Sequence, residues 1–179
     1  MKQRGFTIIE LVTVMCILGI LALSALSRLN DTQSYTVKAY QDRLMASLRA
    51  VQTKAMQDTR PNFCYQLNFT WDGPLAPADD AWGMPTDDYS AGNASVTCGS
   101  GIDADATPNI STRPTELKSE ELIISTLDGT TQDITYIRFT ALGKPVSSAG
   151  TCVNTCKISF DALNTTGVCV NQEGLIYAC

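Results

Sequence analysis

The chain has 179 residues, 44% of them hydrophobic and 17% charged, with seven cysteines, no histidine and a formal net charge of −5. Without histidine there is no Ser-His-Asp triad, no Cys-His nucleophile pair and no His-bearing metal site. The acidic balance lacks the electrostatic footprint of a duplex-DNA binder, and no GxxxxGK(S/T) loop or GxGxxG turn offers nucleotide phosphates a seat.

Residues 1–5 are a short leader carrying Lys2 and Arg4. From Phe6 to Ser27 the only charge is Glu10, and these 22 residues, as a helix rising 1.5 Å per residue, span roughly 33 Å, about a hydrocarbon core. Three plans fit such a run: a secretory signal peptide with a small-x-small site at Ala25-Leu26-Ser27, a plain signal anchor, or the start of a longer helix. Glu10 separates them. A carboxylate inside an apolar run costs about 2.5–3.5 kcal/mol at mid-helix, and neither of the first two plans needs one. Cys16, in the same run, reads as a small buried hydrophobe without a functional role.

The octet Gly5-Phe6-Thr7-Ile8-Ile9-Glu10-Leu11-Val12, following a tiny basic leader, resembles the type IV pilin and pseudopilin signature. The resemblance implies cleavage by a prepilin peptidase between Gly5 and Phe6 and N-methylation of Phe6. It also implies a role for Glu10 in subunit assembly. Its carboxylate would pair with the Phe6 ammonium of a neighbouring subunit, so that two groups costly to bury alone neutralise each other. The implied partners are the peptidase, other pilin subunits through the N-terminal helix, an inner-membrane assembly platform, and membrane lipid before assembly. No cofactor, metal or nucleic acid is expected.

Residues 28–60 contain neither Gly nor Pro. Val37, Tyr40, Leu44, Leu48, Val51 and Ala55 recur at helical spacing and form one apolar stripe, with Arg43, Arg49 and Gln57 off it. Pro61 ends the pattern, because the residue before proline disfavours helix. Joined to the apolar run, the stripe predicts one helix from about Phe6 to Thr59. Its first half (6–27) is transmembrane before assembly and its second (28–60) packs on a core. Many family members carry proline where Ser27 stands, so a kink there stays open.

Residues 61–179 read as a disulfide-bearing, β-rich periplasmic domain. Strands are expected over Phe63–Phe69, Ser95–Cys98, Leu122–Leu127, Ile134–Thr140, Cys156–Phe160, Val168–Asn171 and Leu175–Ala178. Turns are expected at Asp128-Gly129, Leu142–Pro145, Asn164–Gly167 and Glu173-Gly174. A long loop, 72–115, holds five of the seven prolines and is too lengthy to lack short elements. Its acidic residues, Asp103 and Asp105 among them, form no calcium-loop pattern and read as solvated surface. The fold class is therefore α+β: a long N-terminal helix packed on a C-terminal antiparallel sheet domain.

Charge and cysteine divide along the same line. Residues 1–60 carry a net +4 and residues 61–179 a net −9. Cys64, Cys98, Cys152, Cys156, Cys169 and Cys179 follow the apolar run and are disulfide candidates. They place the domain in an oxidising compartment outside the cytoplasm. Cys152 and Cys156 also roughly resemble half of a zinc site, but Cys169 and Cys179, ten apart, do not complete it. The pairing is open: one register sets Cys156 opposite Cys169, and a shifted one brings Cys169 towards Cys179.

Ile137-Arg138-Phe139 with Leu142-Gly143, then Cys156–Phe160 and the closing Val170–Ile176, resemble minor pseudopilins of the type II secretion H and FimT-like group. The leader and cysteine-rich domain together resemble minor pilins of mannose-sensitive haemagglutinin (MSHA) pili. That resemblance implies a non-enzymatic minor subunit that acts in filament assembly or initiation, first in the bacterial inner membrane and then at the cell surface. The alternatives are a major pilin or adhesin of the same filament, or a signal-anchored periplasmic binding domain.

Overall fold

The structure, a computed structural model, describes residues 8–29, 32–58, 65–70, 80–85, 99–105, 107–119, 125–127, 133–152, 155–160 and 166–179. The chain divides between Thr36 and Val37 into two units. Helix α1 (Ile8–Leu29) lies in the first. Helix α2 (Thr32–Gln57) starts in the first and supplies the long helix of the second.

The single helix expected over Phe6–Thr59 corresponds to α1 and α2, which are described up to Leu29 and from Thr32. Residues 30 and 31, between them, lie outside the described set. Ser27, where a kink stayed open, falls within α1.

The apolar stripe of α2 is its core face. Leu44, Leu48 and Val51 are fully buried and Ala55 nearly so, while Val37 and Tyr40 pack half-buried against the same cluster. Gln41 and Ser47, polar positions beside the stripe, are buried as well. Gln41 donates to the Gly167 carbonyl and the Ser47 hydroxyl to Arg43 O at 2.9 Å. Both polar atoms are therefore satisfied, as burial requires.

After α2 come β1 (Gln66–Thr70), β2 (Ala81–Gly83), the one-turn-and-a-half helix α3 (Pro114–Ser119), and β3 (Ser125–Leu127). Then follow β4 (Tyr136–Phe139), β5 (Pro145–Ser147), β6 (Gly150–Thr151), β7 (Thr155–Ser159), β8 (Gly167–Asn171) and β9 (Ile176–Ala178). Every strand pair is antiparallel. Among the described residues they form two sheets, ordered β2-β1-β4-β5-β6 and β3-β7-β8-β9. An α-helix packed on antiparallel sheet is the α+β class expected.

The differences from expectation are local. Strands β1, β3, β4, β7, β8 and β9 overlap the expected runs. β5 begins inside the expected Leu142–Pro145 turn, with Pro145 as its first residue, the strand position at which a missing N–H is tolerated. β6 is only two residues long and follows directly from β5. The stretch 72–115 is not one loop: β2 lies within it and α3 starts at its end, where Pro114 occupies the first turn of a helix. The expected strand Ser95–Cys98 lies outside the described residues.

One core cluster unites α2 with both sheets. Leu67 and Phe69 of β1, Ile137 and Phe139 of β4, Ile158 of β7, and Val168 and Val170 of β8 all belong to it. Trp82 of β2 is fully buried between Tyr40 (ring centroids 6.2 Å apart, edge-on) and Phe160 (5.8 Å).

Candidate functional site

In the first unit, the described side chains of α1, residues 8–22, are largely apolar and all exposed. Exposure of its large hydrophobic side chains runs from 47% at Val14 to 85% at Ile8, with Ile9, Met15 and Ile20 also well exposed. A helix that is hydrophobic all round belongs in a membrane or among other helices. Burying one such side chain is worth about 1.5–3 kcal/mol. Several together rival the ~5–15 kcal/mol that holds a whole domain folded. Surroundings of lipid or neighbouring helices are what this composition demands.

Glu10 is the carboxylate in the opening turn of α1, and its backbone carbonyl accepts the Thr13 hydroxyl at 2.9 Å. Cys16, expected as a buried hydrophobe, is instead a free and exposed thiol on the same helix. The correction follows from α1 having no core of its own to face. Gly5 and Phe6, the expected cleavage and methylation positions, lie outside the described residues. Among the described residues no helix is long and apolar enough to cross a membrane. The side chains of α1 are described only to residue 22, while the apolar run of the sequence continues to Ser27.

Among the described residues of the second unit, two disulfides are in place. Cys152 joins Cys156 with Cα atoms 5.2 Å apart, and Cys169 joins Cys179 at 5.8 Å. The β7–β8 register opposes Cys169 to Lys157 and Cys156 to Val170, so the Cys156–Cys169 alternative is not formed. Cys152 follows β6 of one sheet and Cys156 lies in β7 of the other, so this bond ties the two sheets. Cys64 and Cys98 lie outside the described residues.

Asp105 pairs with Arg113, and Thr107 donates to the Asp103 carbonyl at 3.0 Å. Among the described residues no group of three or more His, Cys, Asp or Glu side chains is placed to hold a metal ion.

Two arrangements on α2 carry no sequence signal beyond polar side chains at the edge of a stripe. Arg43 reaches Glu116 of α3 at 2.6 Å and the Ser111 carbonyl at 2.7 Å, fastening the segment that precedes α3. Gln52 Nε2 donates to Gly143 O (2.9 Å) and to Gly174 O (2.8 Å), so one amide joins a hairpin turn of each sheet to the helix.

Residues 1–26 match the prokaryotic N-terminal methylation motif. No curated protein matches the chain. No solved structure matches it. The motif is the type IV prepilin signature, and it supports a pilin-like structural subunit, membrane-anchored and then in a pilus, that prepilin peptidase processes and that assembles with other pilins.

Proposed function

We propose that this chain is a minor subunit of a type IV pilus-like filament, of the type II secretion H and FimT-like kind, in an MSHA-type system. In this reading prepilin peptidase cuts between Gly5 and Phe6 and the new Phe6 amine is methylated. Residues 6–27 hold the chain in the inner membrane, and residues 28–179 stand in the periplasm, where the disulfides form. Assembly draws the apolar helix out of lipid and into a bundle of like helices. There the Glu10 carboxylate neutralises the Phe6 ammonium of a neighbour. As a minor component the subunit primes or initiates assembly.

The observation that carries the reading is α1, whose described side chains, residues 8–22, are exposed and largely apolar with one carboxylate and lie inside the stretch that matches the methylation motif. Such a helix is stable in lipid and again stable among copies of itself, the exchange of surroundings that fibre assembly requires.

The test is mass spectrometry of the mature amino terminus from membranes of the producing cells. N-methylated Phe6 is expected. An intact Met1, or a chain that starts at Arg28, overturns the proposal. The copy number of the chain in sheared filaments then tests the minor role, with a small fraction of total subunits expected.

A further inference from the structure

Cys156 lies four positions from Cys152, 13 from Cys169 and 58 from Cys98. Cys169 in turn lies 13 positions from Cys156 and ten from Cys179. In an open chain the probability of closing a flexible loop falls roughly as the 3/2 power of its length. Cys156 therefore meets Cys152 about sixfold more often than it meets Cys169. Cys169, by contrast, meets Cys156 and Cys179 at rates within about a factor of two. Chain separation selects the first bond and leaves the second undecided.

The β7–β8 register sets the consequence of the wrong choice. Cys156 opposes Val170 and Cys169 opposes Lys157, so the two cysteines point to opposite faces of the sheet. A bond between them demands a one-residue slip of β8 against β7. That slip turns Val168 and Val170, both fully buried, out of the core. Cys156–Cys169 is therefore a trap.

Burial decides when each bond can be made. Cys152 and Cys156 are fully buried and belong to the core cluster. A disulfide oxidant must reach a sulfur to form the mixed disulfide, so this bond has to close before the two sheets do. Cys179 is half-buried. The β8–β9 pairing sets it on one face with Cys169, Cα atoms 5.8 Å apart, and leaves it partly open to solvent. That bond can follow the hairpin.

We infer that Cys152 directs the pairing of the domain: it captures Cys156 in the open chain and so leaves Cys179 as the near partner for Cys169. The step is thiol–disulfide exchange. One of the two thiolates attacks the disulfide of an oxidant, glutathione disulfide in the test below, and a glutathione thiolate leaves; the other thiolate then displaces the second glutathione. Two protein thiols give two electrons to the oxidant and two protons to the released thiolates, and one protein disulfide forms. The order follows from separation and burial within the domain, so it holds in any compartment that supplies such an oxidant, whether or not the chain enters a filament.

The experiment reduces the full chain in denaturant, dilutes it into mild detergent with oxidised glutathione, quenches samples with acid over time and maps the disulfides by mass spectrometry. In the native chain Cys152–Cys156 is expected first and Cys169–Cys179 later. Cys152→Ser should divert roughly two-fifths of Cys169 to Cys156, the share set by separations of 13 and ten. Cys152→Ser with Cys156→Ser removes the competitor and should return Cys169–Cys179 to the native yield. If the first bond merely staples the two sheets, the double variant pairs no better than the single one. That result would overturn the inference, as would Cys169–Cys179 closing ahead of Cys152–Cys156 in the native chain, or a full yield of Cys169–Cys179 in Cys152→Ser alone.

Discussion

Glu10 and Asn68 are polar side chains in apolar runs, and their surroundings give them opposite readings. Glu10 stands in the opening turn of α1, and in the proposed filament its charge is balanced by the Phe6 ammonium of a neighbouring subunit. Stripping the partner from a buried charge costs about 3–5 kcal/mol, which is roughly a hundredfold or more in an equilibrium. Glu10→Val should therefore leave membrane insertion and processing intact while filament incorporation falls by roughly that factor, measured as the ratio of sheared-filament to membrane-bound chain. Incorporation equal to the native chain would exclude the pairing role. Asn68, in β1, looks from its alternating neighbours like a solvent-facing strand residue. It is buried because the segment 99–101 covers that face, and its amide donates to the carbonyls of Gly99 and Gly101, both at 2.8 Å. Nothing in Gln66-Leu67-Asn68-Phe69 announces the cover, which arrives from more than thirty residues away.

The turn around Glu173-Gly174 was legible because its chemistry is local, whereas the expected turn at Asp128-Gly129 and residues 164 and 165 of the Asn164–Gly167 turn lie outside the described residues. Asn171 and Gly174 carry the β8–β9 turn in their own side-chain and backbone bonding: Gly174 has φ of +91°, and the Asn171 carboxamide closes the loop on Glu173 and Leu175. That this turn meets a second positive-φ glycine, Gly143 at +77°, across a shared glutamine is not local and left no trace in the sequence. Gly174→Ala adds a left-handed residue, at about 1–2 kcal/mol, to a clash with the Gly143 carbonyl. Its expected cost is at least about 2 kcal/mol, read as a fall in the urea midpoint of the full chain in mild detergent. A midpoint equal to the native one would mean that the turns are not in contact.

Across the whole domain, two sheets share one core under α2, and covalent bonds hold their margins. Cys152–Cys156 links the end of one sheet to the other, and Cys169–Cys179 closes the chain end on β8. In the chain-entropy account, loops of this size are worth about 2–3 kcal/mol each. Cys169→Ser with Cys179→Ser should lower the unfolding free energy of the full chain by about that amount, while β8 and β9 stay paired through Gly167 and Cys179, whose backbones exchange bonds of 2.9 and 3.0 Å. Denaturant titration against the oxidised native chain measures it. An unchanged midpoint would show that strand pairing alone fixes this margin.

The sequence by itself determined what depends on neighbours along the chain: the apolar helix and its single carboxylate, the amphipathic stripe of α2, the alternation of β4, the turns around Gly143 and Gly174, and the split between a basic first third and an acidic remainder. Each is a matter of spacing, and spacing survives without a fold. Tertiary structure decided which cysteines meet, that β1 is covered on both faces, that Gln41 and Ser47 are interior, and that Gln52 joins one turn from each sheet. Those outcomes rest on register and on approach between residues separated by scores of positions. A shift of one residue in β8 against β9 would turn Cys169 away from Cys179, because side chains alternate faces along a strand.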